Sequence, residues 1–224
     1  PLGGILSLSY SSSSALYDES VNSRYFYPQE GKASSMGVKR AYSEDRGTRD
    51  VLWGGLVGLA FQPVTGHQIN SNVLYVHNAE DDVRHSQGTI PNLEDSKTAE
   101  YFSILYSERD LLTYQFTGEH SIPFFKLEWR FSQAWTRQNQ PDQRTMMFNR
   151  NVVPNEDGYD YRTHENILPV SNPERYFRDL NESNLQGWVD LTYYPRGEDR
   201  KELFVKVGGA YVARTRDYRV RHYS

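Results

Sequence analysis

The chain contains no cysteine. That removes a disulfide framework and any thiolate metal site. It has no uninterrupted apolar run of about 18 residues, which excludes a transmembrane helix. The same absence does not exclude a transmembrane β-barrel, because every second residue of a barrel strand can face a polar interior. There is no basic excess either. Lys and Arg number 25 against 29 Asp and Glu, for a formal net charge of −4 and a pI near 5.9, so the electrostatic footprint of a nucleic-acid binder is missing. An initiator methionine and a basic-then-apolar leader are absent as well. The chain opens on PLGGILSLSYSSSS and closes on RTRDYRVRHYS, each reading as the inside of a strand. These ends suggest an excised portion of a longer chain.

What is present is aromatic and alternating. Aromatics make up 14% of the residues, with 17 tyrosines, which argues against disorder despite a mean hydropathy of −0.76. The clearest pattern lies between Tyr101 and Gln138. Leu112, Tyr114 and Phe116 alternate with Thr113, Gln115 and Thr117, and Glu119 continues the polar set. After a tight turn over His120 to Phe124, Phe125, Leu127, Trp129 and Phe131 alternate with Lys126, Glu128 and Arg130. Period 2 marks a sheet with two unlike faces.

The same reading places further strands near Gly4–Tyr17, Val51–Gln62, His67–Arg84, Leu180–Tyr194 and Leu203–Tyr218. In the second of these, glycines 54, 55 and 58 interrupt the bulk, as they would at bends in a wall. Short connections fall near 63–67, 120–124 and 195–201, and long ones near 18–50, 86–97 and 149–179. Strict alternation of short and long is how a membrane barrel is built. A two-layer sandwich is the other all-β architecture that fits alternating strands. Read as a barrel, one polar set lines the lumen: Gln115, Glu119, Lys126, Glu128, Arg130, Asp190 and Lys206. The apolar set, with Trp53, Leu127, Trp129, Phe131, Tyr193 and Tyr211, faces lipid or forms the interfacial girdle.

The segments VLWGGLVGLAFQPVTGHQINSNVLYVHNAEDDVR, ILYSERDLLTYQFTGEHSIPFFKLEWRFSQAWTRQNQPDQR, RYFRDLNESNLQGWVDLTYYP and KVGGAYVARTRDY resemble successive barrel strands of TonB-dependent outer membrane receptors. The resemblance covers about 51–218. It implies an all-β, transmembrane, antiparallel up-and-down β-barrel of about 22 strands, of which residues 1–224 would be an arc of about 7–8 long strands, with the N-terminal plug and TonB box absent from this chain. It further implies the bacterial cell outer membrane as location, outer membrane lipid, the plug and the TonB–ExbB–ExbD system as partners, and no enzymatic activity. The cargo would be a scarce nutrient such as a ferric siderophore, with a glycan or cobalamin as alternatives. A non-TonB outer membrane barrel and a soluble β-sandwich binding module are the competing functional classes.

Chemistry is sparse. The six histidines sit at turns and strand ends without HExxH spacing, and no GxSxG elbow occurs. Glu80 and Asp82 share a strand face at the outer end of NAEDD and are weak metal-ligand candidates, lacking EF-hand spacing. No cofactor is expected. Ligand contact is expected from the long connections, with Tyr25, Tyr27, Tyr159, Tyr161 and Arg162 as weak candidates.

Overall fold

The computed structural model describes residues 1–26, 37–89, 98–151, 160–163, 173–196 and 203–224. They form one antiparallel sheet from β1 (Leu2–Phe26), β2 (Gly37–Phe61), β3 (His67–Thr89), β4 (Thr98–Ile122), β5 (Phe125–Asn151), β6 (Asp160–Thr163), β7 (Glu174–Tyr193) and β8 (Val205–Tyr223). The strand order is β1-β2-β3-β4-β5-β7-β8, a meander in which each long strand pairs with its chain neighbours. The short β6 pairs with the end of β5, from Phe148 to Asn151. Because β4 already occupies one side of that stretch, β6 lies on the side used lower down by β7.

The register ties the rows together. Trp53 opposes Tyr10 and His77, His77 opposes Asp110, and the row runs on through Arg137, Asn181 and Asp217. Directly opposed residues share a face, so every second residue below this row shares it too. That face carries Trp53, Leu127, Trp129, Phe131, Tyr193 and Tyr211. The opposite face carries Gln115, Glu119, Lys126, Glu128, Arg130, Asp190 and Lys206.

The expectation of an arc of about 7–8 strands from a transmembrane barrel is corrected by this topology. Closure needs a ladder between the first and last strands, and among the described residues β1 pairs only with β2 and β8 only with β7. Over the described residues the sheet is open and is not a closed wall. The TonB-dependent receptor, siderophore uptake and its glycan and cobalamin variants, the non-TonB barrel, the TonB–ExbB–ExbD and lipid partners and the outer-membrane location all depended on that wall and fall with it. The terms lumen-facing and lipid-facing are replaced by polar face and apolar face. No helix of the described residues is long and apolar enough to cross a membrane.

Several strands outrun their expected ends. β1 continues to Phe26 and β2 starts at Gly37, inside the stretch read as a loop over 18–50. There the polar residues are held across the sheet. Asn22 Nδ2 donates to Glu44 Oε2 at 2.9 Å, and Ser86 Oγ donates to the same oxygen at 3.1 Å. β5 absorbs an extra residue where its register shifts between Pro141 and Gln143. Proline is tolerated at such bulges because it has no ladder hydrogen to give. Asp142, at φ 114°, accepts from Arg144 Nε at 2.8 Å and from Arg175 Nε and Nη2 at 2.8 Å.

The lower connections are tight. Gly66 sits at φ 83°, a conformation glycine adopts without a Cβ penalty; Ser121 N donates to its carbonyl at 2.6 Å. Gly118 serves packing instead. A Cβ there would lie 2.3 Å from the Trp129 indole. Gly118→Ala is therefore expected to push the indole aside at a cost of about 1–2 kcal/mol. A red shift in tryptophan emission together with a lowered melting temperature checks it.

Candidate ligand-binding face

On the polar face, β3, β4, β5, β7 and β8 together line a hollow of about 700 Å³. Gln115 and Thr117 come from β4, Arg130 and Ser132 from β5, and Gln186 and Trp188 from β7. They converge because the pairing sets Gln115 against Ser132 and Ser132 against Gln186, with Thr117, Arg130 and Trp188 forming the next row. Arg130 stands over the Trp188 ring, its guanidinium carbon 5.0 Å from the ring centre, and Lys206 Nζ lies 5.6 Å from the same ring. Indole offers a negative π face to both cations.

Below this row lies a ladder of paired charge. Lys126 Nζ is 3.0 Å from Glu119 and 3.5 Å from Glu128. Lys206 Nζ is 3.4 Å from Glu128 and 2.7 Å from Asp190. Hydrogen bonding to Glu119 raises the pKa of Lys126, against an opposing contribution from burial; hydrogen bonding to Asp190 does the same for Lys206. Three carboxylates are thus bridged by two ammonium groups. Arg130 stands apart: among the described residues its guanidinium has no carboxylate partner, and Gln115 and Ser132 have no hydrogen-bond partner. The hollow therefore offers one unmatched cation, free amide and hydroxyl groups and an aromatic platform. Among the described residues that line it, none is arranged as a nucleophile with its base.

The metal candidates resolve differently. Asp82 is buried, at 2% exposure, and both its oxygens are taken. Arg84 Nε donates at 2.7 Å to Oδ1, and Arg46 Nε donates at 2.7 Å to Oδ2. A metal ion would have to displace two guanidinium groups. Glu80 lies two residues along the same face and takes no part in this triad. Among the described residues no three His, Asp or Glu gather to hold a metal ion.

The Asp82 triad has a pH signature. Burial raises the carboxyl's pKa, and the hydrogen bonds from Arg84 and Arg46 outweigh it, holding it below the ordinary 3.8. A depressed folded pKa gives stability that is complete above the unfolded value and lost as pH falls through the folded value. Thermal stability is therefore expected to drop below about pH 4, and the Asp82→Asn variant to lack this component of the drop. Melting curves between pH 2 and 6 check it.

Three of the five weak ligand-contact candidates lie on described strands. Tyr25 is exposed near the end of β1. Tyr161 and Arg162 lie on β6, paired with Arg150 and Asn149 of β5, with β2, β3, β4 and β5 between them and Tyr25. Tyr27 and Tyr159 lie outside the described residues.

The sheet does unite two histidines that sequence spacing left scattered. His67 and His120 are directly opposed, with Nδ1 to Nδ1 at 3.1 Å. Trp129 Nε1 donates to His120 Nε2 at 3.2 Å, so that nitrogen is an acceptor and the His120 proton sits on Nδ1. His120 then donates to His67. Only the strand register could have revealed this pair, 53 residues apart in the chain.

Comparison with known proteins finds no matching family model, curated protein or solved structure. The hollow and the two-faced sheet therefore carry the functional reading.

Proposed function

We propose that the chain is a non-catalytic binding module of the β-sandwich type. Its apolar face is the inner face of a two-layer arrangement, and its polar face receives a polar ligand at Arg130 and Trp188. A sheet apolar on one side is stable only when that side is covered, and face-to-face packing of a second layer is the usual solution. The observation that carries the ligand side is the unmatched guanidinium of Arg130 within the hollow. Every other charged group lining or bordering it is paired, so the arrangement is complementary to a ligand that brings an acceptor.

The test has two arms. Sedimentation of the purified chain in detergent-free buffer should show discrete species with a cooperative melting transition; a chain dispersed only by detergent overturns the module reading. Nuclear magnetic resonance titrations with acetate, for the guanidinium, and a neutral hexose, for the amide rim, should shift signals of Gln115, Arg130, Gln186 and Trp188. Absence of shifts there with both probes overturns the assignment of the hollow.

A further inference from the structure

The lower end of the apolar face holds a pair of imidazoles that the binding reading does not use. His67 opens β3 and His120 lies near the end of β4, directly opposed in the register. Their Nδ1 atoms are 3.1 Å apart, with the ring centres 5.3 Å apart and the planes tilted by 46°. Both side chains are half-buried. One proton lies between the two nitrogens, held on His120 Nδ1 because Trp129 Nε1 donates to His120 Nε2. The register neighbours on that face are uncharged. His120 opposes Leu127, which opposes Leu191, and the next row is Ile69, Gly118, Trp129 and Val189. Glu119 and Lys126 belong to the other face.

We propose that His67 and His120 chelate a borderline divalent transition metal of the Zn²⁺, Ni²⁺ or Cu²⁺ class through both Nδ1 atoms, with water completing the coordination. This goes beyond the binding reading and does not depend on it. With metal–nitrogen bonds of about 2.0–2.1 Å, adjacent ligands of a tetrahedral or octahedral ion stand roughly 2.9–3.4 Å apart. The observed 3.1 Å falls inside that span. A turn of the rings about χ2, a torsion with broad minima, brings both lone pairs to a common point. Imidazole nitrogen suits these ions, whereas Mg²⁺ and Ca²⁺ take oxygen ligands. The ion takes the place of the shared proton, which moves to His120 Nε2, so both rings stay neutral and no proton is released. The Trp129 and His120 N–H groups would then face each other, and their hydrogen bond is lost. The indole therefore favours the empty form and competes with the metal. Bound there, the ion ties β3 to β4 beside the connections at 62–66 and 123–124.

Calorimetry at about pH 8, above the ordinary imidazole range, should give a one-site isotherm with Ni²⁺ and none with Mg²⁺. His67→Ala and His120→Ala should each weaken Ni²⁺ binding at least about tenfold, because a chelate that loses one arm forfeits the effective concentration of the other. His67→Asn and His120→Asn, which keep a polar group in place, should show the same loss, and circular dichroism verifies strand content in each variant. Trp129→Phe removes the competing donor and should tighten binding about two- to tenfold, a gain that a merely structural pair would not show. With Zn²⁺, proton–nitrogen correlation spectra should show the His120 proton moving from Nδ1 to Nε2. The proposal is overturned by the absence of a Ni²⁺ isotherm, by an equal one with Mg²⁺, or by affinity that neither histidine substitution changes. Trp129→Phe binding no more tightly, or a His120 proton that stays on Nδ1 at saturating Zn²⁺, overturns it as well.

Discussion

Replacing Asp82 with alanine is expected to lower stability by about 2–3 kcal/mol, among the largest single effects in this sheet. The carboxylate is buried and accepts from guanidinium groups on two strands, β2 and β3. Alanine removes the acceptor and leaves Arg46 and Arg84, opposed in the register, as uncompensated neighbours. The cost stays below that of a fully buried pair because the Arg46 and Arg84 side chains keep 33% and 40% of their exposure, so water can solvate them in part. At 224 residues this corresponds to a fall in Tm of roughly 4–12 °C. Asp82→Asn, which keeps the size and one acceptor oxygen, should lose less. A thermal melt of the two variants at pH 7 decides it: equal melting temperatures for wild type and Asp82→Ala would show that the triad adds nothing to stability.

Gly88→Ala is expected to cost about 3 kcal/mol, at the upper end of overpacking effects. An added Cβ would stand 1.9 Å from the Ala41 carbonyl oxygen and 2.6 Å from Tyr42 Cδ1. The first obstacle is backbone, which has no rotamer to escape into, so the β2–β3 ladder itself must spread. Gly88 lies opposite Tyr42 on one side and Ala99 on the other. Those two residues, with Met147, form the one cluster of buried apolar side chains among the described residues, so the disturbance reaches the best-packed part of the sheet. Gly47→Ala is the matched control. It lies on the same pair of strands, and an added Cβ there meets nothing within 4 Å; it should change stability by no more than about 0.5 kcal/mol. Hydrogen exchange at Ala41, Tyr42 and Ser43 should accelerate in Gly88→Ala and stay unchanged in Gly47→Ala.

The alternation in the sequence made the two faces legible. The register puts Gln115, Glu119, Lys126, Glu128 and Arg130 on one side and Trp53, Leu127, Trp129 and Phe131 on the other because a strand's side-chain period is 2, and that period needs no knowledge of the partner strand. Strand length was less legible. Ser20, Asn22, Glu44 and Ser86 look like loop residues one at a time, and only their cross-strand hydrogen bonds explain why the sheet continues through them. Closure was not legible at all. Alternating faces are common to barrels and open sheets, and what separates them is whether β1 and β8 meet, a relation that no local pattern encodes. The hollow around Arg130 was legible in part: its residues fell in the polar set, but the unmatched guanidinium emerges only when the partners of every neighbouring charge are known.

The strictly sequential strand order has a consequence for how the molecule assembles. Every long strand bonds to the strand before and after it in the chain, so growth can proceed one hairpin at a time from the β4–β5 pair, whose connection is among the shortest, with no crossover to thread. Short loop closures carry a small entropic barrier and favour rapid nucleation. Unzipping should retrace the path, with β1 and β8 fraying first and the central pair last, much as a repeat array loses its terminal units before its middle.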